Sequence, residues 1–557
     1  MIEPTPVSPI SAPWDAVGER LGGPRVGVDD SLRRRLADVC DEVSDDDESR
    51  AEAGRDWWPL AIGWATRGQV PARPALIARP TDTAQVSAVL AACNDAGVPV
   101  TPSAGRSGVC GSAIPLYGGV VLDLCGLAGI GNVDTTSLVA DLRAGTFGPD
   151  VEAGLRNDHD VTLGHWPQSM DLSTVGGWLA CRGAGQYSNR YGKIEDMVIG
   201  LEVVLADGTV VRTGGRGPRS ATGPDLNQVF VGSEGTLGVI TEGRFRVHQV
   251  PTYTGQRAFG FRSFADGLDG CRRILRRGAT PAVLRLYDET ESGRSFDQGS
   301  TNVLIVLDEG DPGLVDATLA VVDQESAAAD KLEPNLVDRW MEQRNDVSAL
   351  APLWRHGIVV DTVEVSARWS VLPGLYRSVL DALHGVDGTL AASSHQSHAY
   401  TDGACLYFTF AGRPPSGVGG ATVGSGSVVG GAAVGGAAVG SGSVGGGAVG
   451  GGAVGTADGT SVPELDGDAP ALDDEQQAWA EQYYEEAWNK VTAATRDAGG
   501  AISHHHGIGI NRARFLPDAL GSAFGVLTTM KQALDPKGIL NPGKLGLPNP
   551  FGPATWP

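Results

Sequence analysis

The chain has little that would commit it to nucleic acid, to a membrane or to an oxidising compartment. Positive charge is scarce. Its 43 Lys and Arg stand against 66 Asp and Glu, a net charge of −23 over 557 residues, the opposite of the basic surface that phosphate backbones require. Nucleic acid is therefore not an expected partner. Cysteine is scarce too: Cys40, Cys93, Cys110, Cys125, Cys181, Cys271 and Cys405 are scattered with no CxxC pair. An odd, unpatterned set reads as reduced thiols, which points to a cytoplasmic protein. The stretch MIEPTPVSPISAPWDAVGE has neither a basic nor an apolar segment, so no secretory leader is expected. No run of about 18 strongly apolar residues occurs, so no membrane-spanning helix is expected.

What is present is a long chain of ordinary globular composition, 41% hydrophobic and 20% charged. It is too long for one core, so at least two domains are expected. Residues 1–68 read as a helical lead-in: SLRRRLADVCDEV has apolar residues at helical spacing, and the acidic run SDDDESR after it reads as a solvated loop. From 69 to 250 the texture is strand and helix in alternation. PALIARP, VPVTP and GGVVLDL are strands, and TDTAQVSAVLAACNDAG is a helix opened by an N-cap Thr and closed at Gly. VIGLEVVLADGTVVRTG reads as two strands around an Asp-Gly turn. From 251 to 412, and again from 461 to 557, helices such as ADGLDGCRRILRRG and strands such as ACLYFTFAG describe a second, α+β unit. Between these parts lies a low-complexity Gly/Val/Ala/Ser segment, 413–460, read as a flexible insertion.

Four stretches carry the chemistry. TPSAGRSGVCG, 101–111, follows a strand and exposes backbone N–H groups at close range, as a pyrophosphate cradle or a plain tight turn would. It matches neither GxGxxG nor GxxxxGK[ST], so neither a Rossmann site nor a P-loop is supported. GHWPQSMDLSTVGGWLACRGAGQYSNRYGKIEDMV, 164–198, is Gly-rich and polar, a composition that lets backbone lie against a flat ligand. In GPDLNQVFVGSEGTLGVITE, 223–242, three glycines frame Ser233, Glu234 and Thr236. ALDPKGILNPGKL lies near the C-terminus.

In this order and spacing the strings STVGGW (173–178), YGKIEDMV (191–198), GPRSATGPD (217–225), GSEGTLGVITE (232–242) and SHHHGIG (503–509) resemble the PCMH-type FAD-binding enzymes of the vanillyl-alcohol oxidase superfamily. Within it they resemble the alkyldihydroxyacetonephosphate synthase branch. The resemblance implies an α+β chain: a two-subdomain PCMH-type FAD-binding domain (69–250), then an α+β substrate, or cap, domain whose C-terminal segment returns to the flavin. It implies noncovalent FAD, because Ser107 stands where relatives with a covalent flavin often carry His. Matching positions imply that Pro102, Ser103, Ala104, Gly105, Arg106, Ser107, Gly108 and Val109 line the pyrophosphate. The rest of the cofactor would lie against Gln168, Ser169, Met170, Asp171, Leu172, Ser173, Thr174, Cys181, Arg182, Gly183, Ala184, Glu234, Gly235, Thr236, Leu237, Gly238, Val239 and Ile240.

Three consecutive histidines raise their own question. On a strand, His504 and His506 would face one way and His505 the other, so joint metal ligation would need irregular backbone. The chain also lacks the GHxGDGNxH-like string of metal-dependent 2-hydroxy-acid dehydrogenases. No metal is expected. Core packing is a second reading, and proton handling near pH 7 is the one preferred. The resemblance gives these residues catalytic roles along with Tyr407, Arg285 and His165. It implies exchange of the acyl group of acyl-dihydroxyacetone phosphate for a fatty alcohol, as in ether-lipid synthesis, through an adduct at flavin N5. One departure stands out. Where the branch carries a phosphate-binding Arg, this chain has Leu350, with Arg355 a helical turn further on. The alternative is therefore an FAD-linked oxidase or dehydrogenase of a 2-hydroxy acid or alcohol. A third reading is a non-catalytic flavin protein that associates through its Gly-rich segment. The expected partner is a small lipid-like or hydroxy-acid substrate. Relatives are often homodimers, and a lipid substrate implies peripheral membrane contact, although no amphipathic anchor stands out.

Overall fold

A computed structural model describes residues 8–346, 350–415 and 472–553. The segment read as a flexible insertion lies outside them except for residues 413–415. The fold is α+β and builds three main sheets. The first begins inside the lead-in read as helical, whose helix over Asp30–Val39 stops before a strand. Strands β1 (Glu42–Ser44), β2 (Leu76–Arg79), β3 (Val100–Ser103) and β4 (Val120–Asp123) stand in the order β1-β2-β4-β3, with helix α1 (Thr83–Ala96) crossing from β2 to β3. β2, β4 and β3 run parallel, so the loop after β3 emerges where their carboxyl ends converge. The cap of α1 is Asp82, whose carboxylate accepts from the Gln85 N–H, rather than the threonine expected; Gly97 closes the helix at φ +66°. The acidic run is not a loop. Asp46 caps a short helix over Asp47–Glu52, because three acidic residues at a helix N-terminus complement its dipole.

The second sheet is antiparallel, in the order β8-β7-β9-β6-β5. It contains β5 (Ile130–Asp134), β6 (Val139–Arg143), β7 (Val198–Val204), β8 (Val210–Arg212) and β9 (Val239–Arg246), with the short helix α2 (Val175–Cys181) against β9. β7 and β8 form the hairpin read around Asp207-Gly208.

The third sheet belongs to the cap. It contains β10 (Tyr253–Phe261), β11 (Val283–Tyr287), β12 (Asn302–Gly310), β13 (Asp330–Leu332), β14 (Val359–Arg368), β15 (Thr389–Ala399) and β16 (Gly403–Gly412), in the order β13-β10-β12-β11-β15-β16-β14. Helices α3 (Phe264–Arg276), α4 (Pro312–Glu325), α5 (Leu372–His384) and α6 (Asp474–Asp497) bury their apolar stripes with Leu284, Leu286, Val363, Val365, Leu406, Phe408 and Phe410 in one core. Side chains alternate across a strand, so the residues between these face the other way. Register places Tyr287 opposite His395, His395 opposite Tyr407, and Tyr407 opposite Glu364. That cross-strand row is one wall of the site. The lead-in is locked to the cap where the Trp58 indole donates to Tyr484 of α6 at 2.9 Å. The C-terminal stretch returns to the first sheet: the Val100 N–H donates to the Ile539 carbonyl, and the Asn541 N–H to the Val100 carbonyl, each at 2.8 Å.

Candidate active site

A cavity of about 2120 Å³, its open mouth included, runs between the loop after β3 and the cap row. On the first side every residue from Pro102 to Val109 lines it. This wall is mostly backbone. A Cβ on Gly105 would sit 2.1 Å from the Leu172 carbonyl, and Arg106 holds φ +53°. The loop is tied down by the Trp57 N–H, which donates to the Gly108 carbonyl at 2.9 Å. Behind it lie Asp56, which burial pushes up to about 7, and Lys544, which burial pushes down to about 7.

Further along, Gln168, Ser169, Leu172, Ser173, Thr174, Cys181, Gly183, Ala184, Glu234, Gly235, Gly238, Val239 and Ile240 line the same cavity. Five expected residues do not. Met170 and Leu237 are core, Asp171 is exposed, and Thr236 is buried with its hydroxyl donating to the Ser233 carbonyl. Arg182 ends α2 in the left-handed region, exposed and 3.3 Å from Glu195. These stretches are turns, bends and a helix end, where successive side chains leave the backbone in different directions, so a contiguous motif overstates the contact set. Glu234 has a second task. Its carboxylate accepts from the Ile508 N–H at 2.5 Å and the Gly509 N–H at 2.8 Å, joining this wall to the turn after the histidines.

The histidines are not on a strand. Residues 503–509 are irregular, and one oxygen organises them. Glu364 Oε1 accepts from the backbone N–H groups of His504, His505 and His506 at 3.0, 3.0 and 2.8 Å, and from Ser503 Oγ at 2.9 Å. Its other oxygen pairs with Arg512, and both partners are almost wholly buried. These charges hold the Glu364 carboxyl well below its ordinary range despite burial. The bend brings the ring centroids of His505 and His506 to 4.5 Å and turns His504 away from the cavity. His504 bridges Tyr400 OH (2.7 Å from Nε2) and His505 Nδ1 (2.9 Å from Nδ1). Burial lowers the pKa of all three, that of His504 to about 4. They are neutral at pH 7, which corrects the expectation that they titrate there.

Tyr407 lines the cavity beside them. Its hydroxyl accepts from Thr362 Oγ1 at 3.0 Å and lies 3.5 Å from His506 Nε2. His506 Nδ1 is 3.4 Å from Glu364. Burial raises the Tyr407 pKa, so it stays protonated. On its other side it stacks on His395, with centroids 4.9 Å apart. His395 Nε2 is 2.7 Å from Arg285 Nη2, which can only donate; the imidazole proton is therefore on Nδ1, donating to Glu291 at 2.8 Å. His165 does not reach the cavity. It is fully buried against Trp178, its two nitrogens have no partner among the described residues, and burial pushes it down to about 3. Of the residues at the missing phosphate contact, Leu350 lines the cavity and Arg355 does not.

The sequence reading missed His395, His398, Glu364, Arg512 and Thr362. Two histidines in one strand, in SHQSHA, were a usable signal; Glu364 gave none, since a lone Glu in an apolar strand reads as an exposed position. His398, His504 and His505 bring ring nitrogens within 4.8 Å of one another, a spacing a metal ion could bridge.

Known families decide what the first wall holds. Residues 74–214 match the FAD binding domain family, and 251–422 with 470–545 match the C-terminal domain of FAD linked oxidases. The chain belongs to the PCMH-type FAD-linked oxidase family. Its cofactor is FAD. The chain is 29% identical over 492 residues to the uncharacterized FAD-linked oxidoreductase YgcU of Escherichia coli (strain K12), spanning 85% of this chain and 89% of that protein. It is 27% identical over 518 residues to alkyldihydroxyacetonephosphate synthase of Dictyostelium discoideum, spanning 86% and 74%. A solved alkyldihydroxyacetonephosphate synthase shares the fold, with a TM-score of 0.70 at 22% identity over 96% of this chain and 89% of that one. The wall fits the cofactor: Ser103 Oγ is buried at the cavity surface with no partner among the described residues, beside a loop where Gly105 leaves no room for a side chain. The loop Pro102–Val109 would hold the pyrophosphate, and Thr174, Cys181 and Val239 would flank the ring system.

Proposed function

We propose that this FAD-dependent enzyme exchanges the acyl group of an acyl-dihydroxyacetone phosphate for a fatty alcohol. The observation that carries the reading is the Tyr407 hydroxyl, protonated and set between a hydroxyl donor and a neutral imidazole on the wall facing the cofactor loop. Exchange at a carbon bearing an oxygen substituent needs one group that gives a proton to the leaving oxygen and takes one from the incoming alcohol. Tyr407 can do both. Thr362 Oγ1 stabilises the phenolate left when Tyr407 protonates the leaving oxygen, the incoming alcohol restores that proton, and neutral His506, its Nδ1 beside Glu364, orients the hydroxyl through Nε2. Bound FAD supplies an electrophilic, reducible ring. The likeness to the Dictyostelium synthase supports the substrate class.

Leu350 favours a second reading, FAD-linked oxidation of a 2-hydroxy acid or alcohol, with His506 or His505 as the base. The name of the Escherichia coli relative supports it. One experiment separates them: the absorption spectrum of the anaerobic flavoprotein mixed with acyl-dihydroxyacetone phosphate, then with D-2-hydroxy acids. Bleaching by the acyl compound that is lost in Tyr407→Phe supports exchange. Bleaching by a hydroxy acid, with the acyl compound inert, overturns it.

A further inference from the structure

Three imidazoles meet at the edge of the cap wall. His398 on β15 stands against His504 and His505 of the C-terminal turn, its ring centroid 4.9 Å from each, and theirs are 5.1 Å apart. The expectation of no metal rested on strand alternation, and the bend over Glu364 removes that objection. A tetrahedral ion about 2.0–2.1 Å from each nitrogen needs those nitrogens about 3.3 Å apart. The spacing here, 2.9 Å between His504 Nδ1 and His505 Nδ1 and no more than 4.8 Å across the three residues, brackets that value.

The outer nitrogens already have partners. His398 Nδ1 is 2.8 Å from Ser188 Oγ, and His504 Nε2 is 2.7 Å from the Tyr400 hydroxyl. A proton on each of these nitrogens leaves His398 Nε2 and His504 Nδ1 as free lone pairs, and oxygen partners of this kind orient metal-bound histidines. Burial keeps all three imidazoles neutral, so none has to lose a proton to bind. Among the described residues no carboxylate joins the group. An all-imidazole set suits a borderline first-row ion such as Zn2+ and not Mg2+ or Ca2+, which take oxygen ligands. Lys193, its Nζ 4.8 Å from the Tyr400 ring, and Arg285 oppose added positive charge, so the affinity comes from the imidazoles. Three protein ligands leave one position open, as in catalytic zinc sites. His398 and His505 line the cavity, so that position has access to it.

We propose that His398, His504 and His505 bind one Zn2+-type divalent ion whose fourth position takes an oxygen donor from the cavity, a water or a substrate hydroxyl or carbonyl. The site goes beyond both functional readings. It leaves Tyr407 and His506 free, and in the oxidation reading it makes His506 the base.

The test uses the FAD-loaded enzyme, stripped with EDTA and titrated with ZnCl2 alone against a chromogenic chelator. One zinc per chain is expected. Zinc K-edge absorption should show nitrogen and oxygen neighbours at about 2.0–2.1 Å, without sulfur at about 2.3 Å. His398→Gln should abolish stoichiometric binding, and Ser188→Ala should weaken it about tenfold to a hundredfold. Unchanged FAD content and zinc-free melting temperature show that the variants fold; if His398→Gln does not, Ser188→Ala decides. No zinc held by the unaltered enzyme, sulfur neighbours, or equal affinity in the deciding variant overturns the site. No turnover is read, so an inert acyl compound would sink the exchange reading and leave the ion site standing.

Discussion

The two walls of the cavity are made differently. The cofactor wall is backbone and small residues, Pro102 to Val109, where Gly105 leaves no room for a side chain. The cap wall is side chains, Tyr407, His395, His505 and His506, each beside a hydrogen-bonding or ionic partner. A backbone wall fails when it gains atoms; a side-chain wall fails when it loses them.

The sharpest contrast comes from Gly105→Val. Its added atoms meet the Leu172 carbonyl, where a Cβ alone would sit at 2.1 Å, so the purified protein should lack the visible flavin absorbance. A folded variant with full FAD would break the distinction between the walls. Tyr407→Phe should do the reverse. FAD content stays unchanged and turnover falls by about a hundredfold to ten-thousandfold, the contribution of one acid–base group. Loss of FAD in this variant would show that the cap wall also holds the cofactor.

Glu364→Gln tests how the cap wall is supported. Arg512, 1% exposed, would lose its counterion, and three backbone N–H groups would lose a charged acceptor. Breaking a buried pair from one side costs about 3–5 kcal/mol, read as a lower melting temperature. Wild-type stability would mean the triplet holds its bend unaided.

The smallest effect at neutral pH belongs to His165→Phe. His165 is neutral in the fold with a pKa near 3 against 6.5 when solvated, and burial is the cause. Between those values the unfolded chain binds the proton and the folded chain does not, so wild-type stability falls as pH drops through the window, by about 1.4 kcal/mol per unit. The variant should lose that slope while keeping FAD and turnover. A loss of turnover at neutral pH would restore His165 to the catalytic set.

The sequence was most informative where structure is local. TPSAGRSGVCG reads as a ligand loop because its small residues act on their own backbone, and all eight expected positions there reach the cavity. It was least informative where partners are far apart. Glu364 lies 140 residues before His504, and nothing in VEVSARW announces a carboxylate that holds a histidine run. His165 fails for the same reason: a motif position shows that a residue is kept, and only packing shows whether it faces the ligand or the core.

The sequence alone therefore determined the family, the cofactor, the alternation of strand and helix and the backbone-built wall, because glycine spacing and hydrophobic period are properties of short segments. The tertiary structure alone decided which imidazoles face the cavity and that all three of the triplet are neutral. It also gathered ring nitrogens of His398, His504 and His505 within 4.8 Å of one another. Those facts arise from burial and from contacts between β11, β14, β15, β16 and a C-terminal turn, which no single segment contains.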